Sequence, residues 1–209
     1  LFLTFCAGYV DAYTFIERGN TLVAGQTGNV VFLSVGIVQQ NVADVEEKVL
    51  TLLSFMLGVF LLTIYKEKLK IVKKPILSLV PLGLLSLIIG FVPLTVDNHF
   101  IVPPLAFCMG LVTTAFGEVS GIAYNNAFMT GNIKRTMLAF GDYIRTKHTP
   151  FLREGIIFVT LLVSFVLGAV VSAYLTIFYD EKTILGIPIM MCIFYLSMIV
   201  AKLQEKEKK

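Results

Sequence analysis

Asp11 is the residue of this chain best placed to do chemistry, because it lies inside the first apolar run. In a membrane-spanning helix a carboxylate costs roughly 2.5–3.5 kcal/mol on insertion scales, so it usually faces a cavity or a partner. Asp11 is therefore a candidate for binding a solute, an ion or a proton. The alternative is a structural role, with Arg18 or a backbone amide of a TGN motif as its partner.

The tripeptide Thr-Gly-Asn (TGN) occurs twice, each time in an apolar segment interrupted by polar residues. Thr and Asn cap helix starts, and Gly loosens the backbone before them. A helix that begins inside the membrane directs free N–H groups and its positive dipole end at a cavity, where they can bind a polar or anionic solute. Simple helix capping is the alternative. The candidate contacts are Thr27, Gly28, Asn29, Asn126, Thr130, Gly131 and Asn132.

Two glutamates occupy similar places after apolar runs. Glu17 lies beside Arg18, which predicts a solvated rim position for Glu17. Glu118 has no basic neighbour and is followed by small residues, so we expect it to be a buried ionisable group at the solute site. A structural role for Glu118 stays open.

Sequence patterns of hydrolases and metal sites do not occur. The chain contains no GxSxG, HExxH, P-loop or closely paired catalytic carboxylates, which argues against an enzyme. Its three cysteines, Cys6, Cys108 and Cys192, fall in apolar stretches without metal-ligand spacing. We therefore expect them to be packing residues and expect no cofactor or metal.

Composition places these residues in a membrane protein. Of the 209 residues, 56% are hydrophobic and only 15% are charged, whereas charged residues form about 25% of a soluble domain. The small net charge of +3 comes from basic clusters between apolar runs, which set orientation and do not suggest a nucleic-acid partner. A lipid bilayer is the expected environment. Because Leu1 lies within an apolar run, we also expect that the natural N-terminus precedes it.

Six apolar segments approach the length of a membrane span, which is about 20 residues. The predicted spans are 1–17, 48–65, 75–95, 101–118, 153–178 and 184–201. The two TGN segments, 20–40 and 124–146, lie between the first and second spans of each half. Each is predicted to be a loop and a short helix starting at TGN, tolerated at membrane depth only when it is buried or lines a wet cavity. A full span over 20–40 is the rival topology.

Short words recur in the same order in the two halves of the chain. The word at Phe5–Val10 returns at Phe107–Val112, each TGN follows, and Ser54–Gly58 returns at Ser164–Gly168. Such repeats in a membrane chain are typical of transporters and channels. The sequence therefore predicts an all-α membrane protein of six transmembrane helices in a 3+3 inverted repeat, each half with a broken or re-entrant TGN helix. The repeats are 1–98 and 99–209 within one membrane domain.

Lysine and arginine predict the orientation of the chain. Basic residues cluster after the second span, before the fifth and after the sixth, while the loops at 41–47 and 180–183 are mainly acidic. Because positive loops face the cytoplasm, both termini are expected there. Arg18 is the one violation.

The words around the first TGN carry a resemblance to a known family. The run 7–15, AGYVDAYTF, followed by 26–31, QTGNVV, resembles the YoaK family of bacterial multi-pass membrane proteins, a family of unknown function. The second TGN, in 128–132, is similar to its pattern. The resemblance implies a bacterial inner-membrane location and supplies no substrate.

These observations favour a small secondary transporter or channel for a small polar or ionic solute bound near the midplane between the repeats. A membrane binding or scaffold protein with structural TGN segments is the alternative, and a lipid enzyme is a third. The small number of spans is compatible with a homodimer.

Overall fold

The computed structural model describes residues 1–68, 75–119, 122–123 and 127–207. Within these ranges the regular secondary structure is helical apart from β1 and β2, two short antiparallel strands. Short 3₁₀ helices cover Pro75–Ser78, Asn98–Phe100 and Asp180–Leu185. The strands are β1 (Glu118–Val119) and β2 (Ile122–Ala123), and the helices are α1 (Phe2–Glu17), α2 (Gln26–Val38), α3 (Val42–Tyr65), α4 (Leu79–Ile89), α5 (Val102–Ala115), α6 (Met129–Thr146), α7 (Thr149–Tyr179) and α8 (Gly186–Glu207).

Helices coincide with all six predicted spans, but they differ in length. Among the described residues, three helical stretches are long and apolar enough to cross a membrane: Val42–Tyr65, Asn98–Ala115 and Thr149–Ser197. The last stretch combines α7 and α8. Shorter apolar helices occupy Gln26–Val38 and Pro75–Ile89, and α1 has 16 residues. The chain is thus an all-helical membrane protein, while the count of six spans stays a prediction.

The two TGN segments begin helices close to where the sequence predicts. Helix α2 starts at Gln26, one residue before Thr27, and has 13 residues, too few to cross a bilayer. Helix α6 starts at Met129, one residue before Thr130, and has 18 residues. It is therefore longer than the short helix expected, and it carries polar residues along its length.

The first of two close helix crossings joins α1 to α7. Gly8 packs directly on the backbone of α7, where an added Cβ atom would lie 2.1 Å from the carbonyl oxygen of Phe165. Gly168 packs on α1 in the same way, with its added Cβ atom 2.0 Å from the carbonyl oxygen of Phe5. Small residues at such a crossing let two backbones approach closely in a membrane.

The second crossing joins α3 to α5 through the matching residues of the repeated words. An added Cβ atom at Gly58 would lie 2.3 Å from the carbonyl oxygen of Phe107, and one at Gly110 would lie 2.4 Å from that of Phe55. Together with α1–α7 and α6–α7, this is one of the most extensive helix contacts of the fold. Both major crossings therefore connect the first part of the chain to the second.

The buried core and the outer surface of the helices are both apolar. The core lies between α1, α4 and α5, and includes Val10, Leu82 and Leu105. Large apolar side chains such as Phe60 and Val166 are exposed on the outside. Because water would disfavour such a surface, the exposed side chains are suited to lipid.

Arg18 ties the end of α1 to the segment that follows α4. Its side chain is fully buried (0% exposed). One guanidinium nitrogen donates to the carbonyl oxygen of Val92 at 2.9 Å, another to that of Pro93 at 3.4 Å, and Nε donates to Tyr13 Oη at 3.3 Å. Carbonyl groups therefore replace water around the buried cation.

The tyrosines of α1 tie the same helix to the segment between α7 and α8. Tyr9 Oη donates to the carbonyl oxygen of Thr183 at 2.7 Å, and Tyr13 Oη donates to that of Glu181 at 3.3 Å. With the Arg18 contacts, these bonds bring together the loops after α1, α4 and α7.

Candidate functional site

An open cavity of about 790 Å³ lies between α1, α3, α7 and the starts of α2 and α6. Both TGN segments reach it. Most of its wall is apolar, with a few polar groups near the start of α2. The lining residues are Gly8, Asp11, Ala12, Phe15, Ile16, Leu22, Ala24, Gly25, Gln26, Thr27, Gly28, Phe55, Ala127, Phe128, Met129, Thr130, Phe165, Ala169, Val170 and Ala173.

Asp11 forms the polar end of this cavity and organises the loop before α2. Its Oδ1 atom accepts hydrogen bonds from the backbone amides of Val23 at 2.9 Å and Ala24 at 2.7 Å. Its Oδ2 atom accepts one from the amide of Gly25 at 2.9 Å. Only 5% of the Asp11 residue surface is exposed. The carboxylate therefore binds three consecutive amides, which lie before the TGN motif and not within it.

Asn29 supports the same loop from the first turn of α2. Its Oδ1 atom accepts the amide of Leu22 at 2.9 Å, and its Nδ2 atom donates to the carbonyl oxygen of Leu22 and to Gln26 Oε1. The side chain is buried (1% exposed) and does not line the cavity. Asn29 thus shapes the site from behind.

The second TGN motif, 130–132, contributes one of its three residues directly to the wall. Thr130 lines the cavity, whereas Asn132 is buried and its carbonyl oxygen accepts the hydroxyl of Thr136 at 2.9 Å. Gly131 packs against the ring of Phe128, where an added Cβ atom would lie 2.4 Å from Cδ1. The start of α6 therefore resembles that of α2 in having a buried Asn behind an exposed Thr.

The structure brings together four of the predicted site residues in one cavity: Asp11, Thr27, Gly28 and Thr130. Asn29 and Asn132 lie behind the wall, and Gly131 packs on Phe128. Glu118 belongs to β1, but its side chain lies outside the described part of the chain, as does all of Asn126. Their predicted roles stay predictions.

The charged and aromatic residues of the wall determine which groups the cavity can contact. Asp11 is the one charged residue among the described lining residues, and Phe15, Phe55, Phe128 and Phe165 supply aromatic surface. Across the described ranges, no group of three or more His, Cys, Asp and Glu residues is placed to hold a metal ion. The described part of the wall thus combines one carboxylate with aromatic surface.

A second polar cluster, at the start of α3, has no counterpart in the sequence predictions. Lys48 is buried (1% exposed) although the sequence places it at the edge of a span. Its Nζ atom donates to the carbonyl oxygen of Gly19 at 2.9 Å, to Thr21 Oγ1 at 2.6 Å and to Asp44 Oδ1 at 2.7 Å. Thr21 also donates to the carboxylate of Glu47. The pairing of Asp44 with Lys48 at a spacing of four residues was the available signal.

Asp97 lies just before the short Asn98–Phe100 helix, and its side chain faces solvent. Its carboxylate accepts the backbone amide of His99 at 3.0 Å and contacts the His99 ring. These hydrogen bonds hold the pKa of the Asp97 carboxyl below its usual value. Asp97 caps the short Asn98–Phe100 helix, and neither it nor His99 lines the cavity.

Comparison with known proteins agrees with the resemblance of the motifs. A family model described as "Protein of unknown function (DUF1275)" matches residues 1–198. The chain belongs to this family. Within it, a relative named UPF0700 transmembrane protein YoaK, from Bacillus subtilis (strain 168), is 24% identical over 179 residues, covering 82% of this chain and 80% of the relative. No solved structure matches this DUF1275 member.

Proposed function

We propose that this DUF1275 member is a small secondary transporter or channel whose solute binds in the cavity beside Asp11. The observation that carries the proposal is that Asp11, Thr27, Gly28 and Thr130 line one cavity although they come from distant parts of the chain. Irregular backbone at membrane depth is tolerated where it lines a wet cavity. The loop at Val23–Gly25 is compatible with such a cavity, because Ala24 and Gly25 line it.

The proposed architecture is a 3+3 inverted repeat with both termini in the cytoplasm of a bacterial inner membrane. Two findings support it. The α1–α7 and α3–α5 crossings use matching glycines of the repeated words. In addition, Arg18 and Tyr13 join three loops that the Lys and Arg distribution assigns to the outer side.

The helix contacts also suggest which parts move. Helices α1, α6 and α7 pack together, as do α2, α3 and α5. Rocking the repeats 1–98 and 99–209 as rigid bodies would break both glycine crossings. We therefore propose that the two packed groups move relative to each other, with the cavity between them, to give alternating access.

Cysteine accessibility tests the proposal without knowledge of the solute. Cys6, Cys108 and Cys192 are first replaced by Ala, and Ala173 in the cavity wall is then changed to Cys. The purified variant is placed in proteoliposomes of one orientation. We expect a membrane-impermeant thiol reagent to modify Ala173→Cys from either side, because transport requires access to both.

Val166→Cys is the matched control, since Val166 also lies on α7 but faces outward and is 57% exposed. Surrounded by lipid, it should resist the impermeant reagent and react with a permeant maleimide. Labelling of Ala173→Cys from one side alone, or from neither, would rule out a transport pathway through this cavity.

Once a solute is found, site variants test the assignment. We expect Asp11→Asn or Asn132→Ala to abolish flux while membrane insertion continues. Asp11 lies in the cavity wall, and Asn132 supports the start of α6 behind Thr130. Wild-type flux in both variants would remove the site assignment.

A non-transporting binding or scaffold protein is the second candidate. It is favoured by the extent to which Asp11 and Asn29 are engaged by the backbone of their own loop. In that case the TGN segments are structural, and the same Ala173→Cys protein is modified from one side only.

A further inference from the structure

We infer that the cavity binds a monovalent organic cation with an apolar, ring-sized body. This inference rests on the proposed function only in using the same cavity, and it names the class of solute. The placement of one carboxylate beside an aromatic wall carries it.

The charge of the cavity is the first step. Asp11 is the one charged residue among the described residues that line it, and none of the ion pairs found among the described residues involves Asp11. A carboxylate in a low-dielectric site attracts a cation much more strongly than it would in water. A cationic solute would supply the missing counter-charge, and an anionic solute would be repelled.

The hydrogen bonds of Asp11 leave room for a donor from the solute. A carboxylate has about four acceptor positions. Oδ1 uses two, for Val23 and Ala24, whereas Oδ2 accepts only Gly25 among the described hydrogen bonds. Oδ2 therefore retains acceptor capacity on the side where Gly25 lines the cavity.

The same bonds weigh against an anionic solute. Amides at a helix start normally attract anions. Before α2, however, the amides of Val23, Ala24 and Gly25 already donate to Asp11. A solute anion would have to displace a carboxylate that is part of the chain.

The aromatic wall favours an organic cation over a hydrated inorganic one. Phe15, Phe55, Phe128 and Phe165 line the space. Aromatic faces attract ammonium groups and also bury apolar bodies. Hard inorganic cations require several oxygen ligands, which a wall dominated by carbon does not provide.

Three probes that differ in charge and share one body test the inference. They are phenethylammonium, the neutral 2-phenylethanol and the anionic 3-phenylpropionate. Binding to wild-type protein in nanodiscs is measured by titration calorimetry at neutral pH, with empty nanodiscs subtracted. We expect phenethylammonium to bind about tenfold more tightly than 2-phenylethanol, and 3-phenylpropionate not to bind. Equal binding of all three, tighter binding of the anion, or no binding of the cation would overturn the inference.

Variants locate the site. Asp11→Asn should weaken phenethylammonium binding about tenfold and affect 2-phenylethanol binding much less. Because Asp11→Asn also perturbs the loop before α2, Phe165→Leu gives an independent test. We expect Phe165→Leu to weaken the binding of phenethylammonium several-fold. Phe60→Leu is the control, since Phe60 lies outside the cavity and is 60% exposed. Equal loss in Phe60→Leu and Phe165→Leu would place the cation elsewhere.

The two proposals fail in different ways. If Ala173→Cys is accessible from both sides but phenethylammonium does not bind, the pathway stands and the solute class is wrong. If the cation binds through Asp11 but labelling occurs from one side only, the cavity is a binding site in a protein that does not transport.

Discussion

Asp11 Oδ1 accepts a hydrogen bond from the backbone amide of Ala24 at 2.7 Å, and so joins the middle of α1 to the loop before α2. The amides of Val23 and Gly25 donate to the same carboxylate. Three amides that would otherwise be unpaired at membrane depth are thereby satisfied. The carboxylate is consequently part of the fold as well as part of the cavity wall.

The first prediction concerns the stability that Asp11 provides. Asp11→Asn should lower the free energy of unfolding by about 2–4 kcal/mol, because hydrogen bonds to a charged acceptor are lost and an amide NH₂ faces the N–H of Gly25. Asp11→Ala should cost more. The measurement is the thermal unfolding midpoint of the purified protein in detergent.

Glu46→Gln is the matched control for these carboxylate changes. Glu46 lies on the exposed surface of α3, so its midpoint should stay at the wild-type value. A wild-type midpoint for Asp11→Ala would show that the loop does not depend on the carboxylate.

The second prediction concerns the glycine crossings. Gly168→Ala should destabilise the protein by about 1–3 kcal/mol, because the new Cβ atom would lie 2.0 Å from the carbonyl oxygen of Phe5 and would force the helices apart. Gly141→Ala on α6 is the control, since a Cβ atom there meets nothing within 4 Å. Thermal unfolding of both variants distinguishes them. Equal midpoints would contradict a close α1–α7 contact.

The third prediction concerns the polar cluster at the start of α3. Lys48→Met should lower stability by about 1–3 kcal/mol, because Thr21 and the carbonyl group of Gly19 lose a buried donor. Lys134→Met is the control, since Lys134 is exposed on α6. Urea unfolding in detergent compares the two proteins. If Lys134→Met is the more damaging change, the buried role of Lys48 is wrong.

Much of the helical framework could be predicted from the sequence because each span is marked by a long apolar run. The repeated words also indicated where close packing occurs, since Gly58 and Gly168 are small residues in otherwise large apolar surroundings. The helix starts near Thr27 and Thr130 were predicted from the capping preferences of the TGN motif. In the structure Gly25 and Phe128 hold the N-cap positions, and neither helix start has a side-chain capping hydrogen bond.

The partners of the polar residues could not be predicted in the same way. From the sequence alone Arg18 resembles a surface residue. Its burial depends on the carbonyl groups of Val92 and Pro93, which lie more than 70 residues later in the chain. The partners predicted for Asp11 from the sequence were Arg18 or a TGN backbone amide. In the structure the amides of residues 23–25 are the partners of Asp11. These residues belong to an irregular loop, and no periodic sequence pattern predicts the path of such a loop.

The α1–α7 crossing has a consequence for the order of assembly. Tyr9 of α1 bonds to Thr183, 174 residues later, and Gly8 packs on Phe165. A growing chain therefore releases α1 into the bilayer long before its main partner is translated. Until then the glycine face of α1 meets lipid or an insertion chaperone. A chain that stops before α7 therefore leaves α1 without the helix against which its glycine face packs.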